Sequence, residues 1–414
     1  MLTAKSRRYK EVSMAQTINS ISSFMGDAFS DLSAIKASKG FMSLFGRGQS
    51  RTYFVENATQ IAVDLQRGEK KISKILARAE NEGLVSLGSN VGHAQAQKFQ
   101  NVAYDFPIIR EQGSVSYSDA LKYRLMGEVD VNSGIDVMGR AREKIMEATW
   151  TNMLKEVGKM EAVAAESMTT GKITLDSGEI YDFNRSTGNT ITPSTLWTVT
   201  ATASPIGDID DACDAVQENG KASAAVGLIG YTALTAMVNT DEVKDTADNR
   251  RFEFVQAGSG TKRLPDLPAD MQFIVDNGFK YMAYVQTFKG RSVYLFTYNE
   301  KYQDSSGTWT DYMNPKDVLI LDHTARYDRY FGPRIRFDIE TESEMIVNRM
   351  FGIDGMQQQF LNAQDVGGVV DARMFHMDAF LAADKTNIMV ETYTGPLYVP
   401  TQIDAACLLD GVVA

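Results

Sequence analysis

Cysteine and histidine are scarce in this 414-residue chain, and their scarcity removes most familiar chemistry. The two cysteines, Cys213 and Cys407, stand far apart with no CxxC or Cys/His spacing. They supply neither a disulfide framework nor a zinc site, which suits folding in a reducing cytoplasm. The three histidines, His93, His323 and His376, fall in no HExxH or HxH pattern, and no GxSxG occurs. No apolar run approaches the roughly 18 residues of a membrane helix, and the N-terminus lacks the apolar core of a signal peptide, so no membrane is implied as a partner. Ala257-Gly-Ser-Gly-Thr-Lys262 lacks the GxxxxGK[ST] order of a phosphate loop and reads as a flexible loop. Asp208-x-Asp210-Asp211 lacks the glycine and terminal glutamate of a calcium loop and reads as the acidic first turn of a helix. The sequence offers no catalytic set, implies no metal and calls for no cofactor.

Hydrophobic residues at 43% and charged residues at 23% are values of a folded, globular chain, long enough for two or three compact units. Net charge is −11 and unevenly placed. Residues 1–112 hold 15 Lys and Arg against 10 Asp and Glu, whereas residues 113–414 hold 27 against 43. An acidic body argues against a protein whose main work is gripping nucleic acid. A basic N-terminal segment on an acidic body suits contact with the body of a second copy, although the same imbalance serves solubility alone. The twenty methionines supply adaptable apolar surface.

The stretch Ser133–Met168 organises the rest. Met146, Trp150, Met153, Val157, Met160, Ala164 and Met168 recur at steps of three and four, one face of a helix. That face is expected to be its core side. Arg140, Glu143, Lys144, Glu147, Lys155, Lys159, Glu161 and Glu166 fill the charged remainder, Asn132 or Ser133 can cap the start, and Thr169-Thr170-Gly171 ends it. Before this spine, Ile21, Met25, Leu32 and Ile35 give a helical period that is loosened by Gly40, Gly46 and Gly48, the pattern of an arm whose apolar face needs a partner. Strand-like Tyr53-Phe54-Val55 and Ile61–Leu65 then lead to Arg67, Lys70, Lys71, Lys74 and Arg78, a polar tract, and a returning strand at 102–109 with Pro107 on an edge. Two strands with a long polar tip make a protruding hairpin, whose basic cluster suits contact with a neighbouring subunit.

After the spine, Lys172–Leu175 and Glu179–Phe183 flank Asp176-Ser177-Gly178, a hairpin signal. From Pro205 the pattern alternates. A helix to Glu218, a strand at 225–230, a helix at Tyr231–Asn239, a strand at Phe273–Val275, a hairpin turned at Lys289-Gly290, a polar excursion at 302–315 and a strand at Val318–Leu321 suggest an inserted α/β unit. Asp371–Ala383 has a helical pattern, Thr386–Val399 carries Pro396 and ends before Pro400, and the apolar tail 401–411 is expected to return to the body.

Several stretches in this order resemble the major capsid proteins of tailed bacteriophages, in particular the family of the phage lambda major head protein. They are the spine followed by Thr169-Thr-Gly-Lys-Ile-Thr174, Tyr181-Asp-Phe-Asn-Arg185, Trp197 with the helix 205–215, Tyr284–Phe296 with Lys316-Asp-Val-Leu-Ile-Leu-Asp322, and Ile388-Met-Val-Glu-Thr-Tyr-Thr-Gly-Pro-Leu-Tyr-Val-Pro-Thr401. The resemblance spans roughly residues 50–414, carried by order and spacing rather than by one strong motif, and leaves the first fifty residues unmatched.

The resemblance implies an α+β chain of the Hong Kong ninety-seven-type capsid fold. It implies an N-terminal arm at 1–50, an extended loop at 51–112, a peripheral domain with the spine helix at 113–200, an axial domain at 201–365, and a return to the peripheral domain at 366–414. It further implies a structural protein rather than an enzyme, assembled in the host cytoplasm into pentamers and hexamers of an icosahedral phage head. Packaged double-stranded DNA, held non-specifically, portal and scaffold proteins and a decoration protein are the other partners it suggests. Some relatives cross-link through a loop lysine, and Lys70, Lys71 and Lys74 do not match that chemistry. Two rival readings stand beside it: a nanocompartment shell of the encapsulin kind, and a hydrolase working through carboxylates.

Overall fold

A computed structural model describes residues 40–46, 50–55, 60–66, 99–116, 137–247, 252–254, 266–303, 307–332, 375–381 and 387–414. The chain divides into two compact units, one from residues 108–159 and 331–396, the other from 39–107, 160–330 and 397–414. A single helix, Val137–Thr170, gives its first part to one unit and its last part to the other. Its end is local chemistry. Gly171 takes φ +72°, a left-handed conformation natural only to glycine, and its N–H closes the last turn on the carbonyl of Ser167.

In the first unit a three-stranded antiparallel sheet places Asn387–Thr394 between His376–Leu381 and Ile109–Ser116. The helix lies against the strand Ile109–Ser116. A Cβ at Gly113 would touch Ala148 and Asn152, and Lys159 donates to Glu111 at 2.6 Å. His376–Leu381 falls inside the segment whose sequence suggests a helix, and it is a strand. Cross-strand pairing with Ile388–Tyr393 along its whole length outweighs its weak helical period.

The second unit is built on a seven-stranded mixed sheet. Its order is Thr190–Ile191, Ala406–Leu409, Val318–Leu321, Val226–Ile229, Ser292–Thr297, Lys280–Gln286 and Phe252–Phe254. Val226–Ile229 and Val318–Leu321 are wholly buried, which explains their unbroken apolar sequences. The helix Pro205–Glu218 buries Ile206, Ile209, Ala212, Cys213 and Val216. The two predicted hairpin turns form as read, with Gly178 at φ +84° and Gly290 at φ +81°. Phe273–Val275 is not a strand; it lies within the short helix Gln272–Asp276, since three apolar residues cannot by themselves distinguish a buried strand from a helical turn. The tail strand Ala406–Leu409 inserts between Val318–Leu321 and Thr190–Ile191, antiparallel to the first and parallel to the second.

A second core in this unit gathers Val63, Leu65, Tyr104, Phe106, Ile173, Phe183, Leu397 and Ile403 under the antiparallel pair Gln60–Gln66 and Phe99–Asp105. The first strand of that pair and the last are thus tied to the unit, as a two-stranded ribbon requires for stability.

Candidate functional site

The long helix carries two carboxylates out of water, Glu156 at 0% and Glu161 at 3% exposure. The sequence pattern puts Glu161 in the charged face; the structure corrects that. In the second unit the 3-10 segment Gly40–Leu44 packs over Glu161, and Phe41, Met42, Ser43, Leu44 and Phe45 are all buried. The first turn of any such helix leaves backbone N–H groups without acceptors, and this one has no acidic side chain of its own there. Glu161 supplies the cap from a distance in sequence. Its Oε1 accepts the N–H of Phe41 at 2.6 Å and its Oε2 accepts that of Met42 at 2.9 Å.

The rest of the seat is aromatic. Phe41 meets Phe279 and Tyr298 edge-on with ring centroids at 5.6 Å, and Phe45 meets Tyr398 at 5.1 Å. Tyr298 also hydrogen-bonds the Glu161 carboxylate. Gly40 takes φ +51°, and a Cβ there would overlap Glu161 Oε1 and Tyr298 Oη, so only glycine fits. Burial pushes the Glu161 carboxyl up to about 8, against the pull of the Met42 and Phe41 amides and the Tyr298 hydroxyl, with Glu300 adding repulsion. Burial likewise raises the Tyr298 phenol, further helped by the Glu161 charge.

In the first unit Glu156 is the contrast. Neither of its oxygens makes a hydrogen bond of good geometry among the described residues, although the Thr392 hydroxyl and the Glu111 backbone lie close enough to favour its charged form. Burial raises its carboxyl to about 8, against the pull of the Thr392 hydroxyl, with the Glu111 charge repelling it and Lys159 partly offsetting. A carboxyl group in that position stays protonated at neutral pH.

At the helix C-terminus Arg185 donates to the carbonyls of Thr169 and Met168 at 2.5 and 2.6 Å, supplying the cations and donors a helix end favours. Burial lowers its pKa to about 10, which leaves it charged at neutral pH. The open polar cleft alongside pairs each cation with an acceptor. Lys172 meets Asp182 at 2.9 Å, Lys221 donates to the carbonyl of Glu218, and Asp404 stands by Arg185. That balance leaves no surplus of either sign to hold an ionic ligand. Among the described residues no three His, Cys, Asp or Glu side chains are placed to hold a metal, and no helix is long and apolar enough to cross a membrane.

The other residues singled out by sequence find structural places. Asp208 accepts the Trp197 indole N–H at 2.7 Å, and Asp210 lies 3.6 Å from Arg291. His323 reaches Asp270 at 2.9 Å, and His376 stacks on Tyr393. His93 and residues 257–262 lie outside the described residues. On the helix, Met146, Met153, Met160 and Met168 are buried, and Trp150 and Val157 are half-buried. Ile21, Met25, Leu32, Arg67, Lys70, Lys71, Lys74 and Arg78 lie outside the described residues. Surface apolar groups that sequence reasoning did not single out include Trp309 at 66%, Tyr231 at 63% and Phe288 at 53% exposure. Nothing local marks them, because exposure is set by what packs around a residue.

This architecture, a long helix with a small antiparallel sheet in one unit and a mixed seven-stranded sheet in the other, is that of a capsid subunit. A candidate capsid protein of a prophage of Escherichia coli CFT073 matches with a TM-score of 0.54 at 14% identity, over 90% of this chain and 94% of that one. A phage-related protein from Bordetella bronchiseptica RB50 gives 0.40 at 11% identity, over 92% and 97%. The holo-SrpI encapsulin complex from Synechococcus elongatus PCC 7942 gives 0.35 at 11% identity, over 87% and 86%. Only the first of these scores is high enough to bear on the fold. No curated protein matches the chain. The family model described as phage major capsid protein E matches residues 80–348, and the chain belongs to that family, whose members are major capsid proteins of tailed phages. Its role is structural.

Proposed function

We propose that copies of this chain close into an icosahedral shell of pentamers and hexamers around double-stranded DNA. The observation that carries this reading is large apolar surface left in water on a protein of a capsid family, with Trp309, Tyr231 and Phe288 more than half exposed. Covering such side chains on assembly would add hydrophobic stabilisation. Within this reading residues 1–50 are an arm whose Ile21, Met25 and Leu32 pack on a neighbour. Residues 51–112 are the extended loop, and Arg67, Lys70, Lys71, Lys74 and Arg78 meet the acidic body of the next subunit. Residues 113–200 form the peripheral domain along the core face of the helix. Residues 201–365 form the axial domain, and residues 366–414 return to the peripheral domain. An acidic lumen would keep packaged DNA from adhering. Portal and scaffold proteins, and a decoration protein, are the remaining partners, and the phage head assembled in the host cytoplasm is the location. Electron microscopy of the purified full-length protein tests this: closed, uniform shells are expected, and a preparation holding only monomers and small oligomers would sink it.

A further inference from the structure

The seven-stranded sheet has two ends, and each carries large apolar side chains in water. Val226–Ile229 runs parallel to Ser292–Thr297, and Val318–Leu321 runs antiparallel to Val226–Ile229, with Val318 level with Ile229. The turn 287–291 leads into the start of Ser292–Thr297, so Phe288 stands exposed at one end of the sheet. Tyr231 follows the finish of Val226–Ile229. The excursion 298–317, which holds Trp309, leaves from the finish of Ser292–Thr297 and returns at Val318. Its ribbon, Lys301–Gln303 with Trp309–Asp311, is tied there by Tyr312 against Tyr298, with ring centroids at 6.0 Å. Tyr231 and Trp309 therefore share the other end, where the Ala233 N–H meets the Pro315 carbonyl at 3.0 Å. The strand Ser292–Thr297 alone sets the two ends roughly 20 Å apart.

The Phe288 turn is clamped. The Thr287 N–H donates to the Arg291 carbonyl at 2.8 Å, and the Arg291 N–H returns to the Thr287 hydroxyl at 3.1 Å. The Arg291 guanidinium reaches Asp214 at 2.6 Å and Gln217 at 2.7 Å, Lys289 pairs with Asp214, and the Lys289 N–H donates to Asp210 at 3.3 Å. An aromatic side chain on so fixed a turn costs little further ordering when it is covered, as an interface anchor requires. The other end is the reverse. Trp309 rides on a ribbon of two three-residue strands, a size that is marginal in water and gains from outside support. Trp309 at 66% and Tyr231 at 63% exposure leave roughly 300 Å² of side chain in water. That is an apolar centre in proportion to a standard interface of about 800 Å² per partner. This end holds Glu300, Asp311 and Asp410 against Lys301 and Lys316, and the Phe288 turn holds Lys289 and Arg291 against Asp210 and Asp214, so the two do not repel.

We propose that Phe288 of one copy seats against Tyr231 and Trp309 of the next, so that the larger units meet head to tail. The occupant of each patch is a second copy of this chain, and the inference rests on the shell reading above. Patches at opposite ends of one sheet are not both covered by a single twofold partner. A head-to-tail contact covers one patch on each side and, when the rotation closes, makes a ring. The clamped Phe288 turn is the giving side of that contact, and the ribbon with Trp309 is the receiving side, steadied by what it receives.

Cysteines placed beside the anchors of the full-length protein, Gln286→Cys and Thr308→Cys, test the contact when joined by a short bis-maleimide; the native Cys213 and Cys407 are buried. The double variant is expected to give a ladder running past the dimer on a denaturing gel, while each single variant stays monomeric. A single variant that links to itself, or a double variant that stays monomeric or stops at the dimer, overturns the proposal. Phe288→Ala gives a second measure, because the side chain lies at the surface and its loss leaves the core intact. The protein concentration needed for assembly should rise by about thirtyfold or more, and an unchanged threshold overturns the contact. Electron microscopy of the same samples separates this inference from the one it rests on. Shells without the ladder sink the contact alone, and the ladder without shells upholds the contact and sinks the shell.

Discussion

Glu156 and Glu161 lie on one helix and are both out of water, yet only Glu161 accepts well-formed hydrogen bonds from backbone N–H groups. Glu161, in the larger unit, holds the backbone N–H groups of Phe41 and Met42. Glu156, in the unit of the three-stranded sheet, has only the Thr392 hydroxyl and the Glu111 backbone nearby, neither in good hydrogen-bond geometry. Burial raises both carboxyls to about 8, so burial alone does not tell the two apart. The difference lies in what would be orphaned on removal. A buried polar group is integral when its loss strands another group, and dispensable when it does not.

The sharpest way to break the comparison is from the plug side. Gly40→Ala forces a left-handed φ on an L-residue, at about 1–2 kcal/mol, and drives a methyl into Glu161 and Tyr298, at about 1–3 kcal/mol more. A loss of about 3–4 kcal/mol in the unit holding Gly40, read from denaturant midpoints, is expected; a neutral result would mean that the plug is not seated as described. Next, Glu161→Leu strands the Phe41 and Met42 amides and should cost about 3 kcal/mol, whereas Glu156→Leu removes a carboxyl without a well-formed hydrogen bond and should lie within about 1 kcal/mol of wild type or stabilise. Equal costs for the two variants would refute the contrast. The smallest effect is expected at Met153→Leu and Met160→Leu, one in each unit, both buried sites where a near-isosteric swap costs under about 1.5 kcal/mol. A larger loss at one of them, measured by thermal melting, would show that its core is more tightly fitted than the other.

Local chemistry is what could be read from the chain. The end of the long helix was legible because Gly171 can adopt a conformation other residues avoid. The turns at Gly178 and Gly290 were legible for the same reason. The helix Pro205–Glu218, with Pro at its first turn and Asp208 behind, announced itself by residues that act within a few positions. The failures share the opposite property. Phe273–Val275 and His376–Leu381 owe their conformations to neighbours distant in sequence, and Glu161 looked like one more charged helix residue until a segment 120 positions earlier was laid over it.

The sequence by itself determined the long amphipathic helix, the hairpins, the alternation of the inserted unit and, through its order of motifs, the family. Propensity, periodicity and turn geometry act over a few residues and are written in those residues. Only the tertiary structure decided that Ala406–Leu409 enters the middle of a sheet, that Trp309 stays in water, and that one of two similar glutamates caps the segment Gly40–Leu44. Burial and hydrogen-bond satisfaction depend on which distant groups arrive, and no local pattern states that.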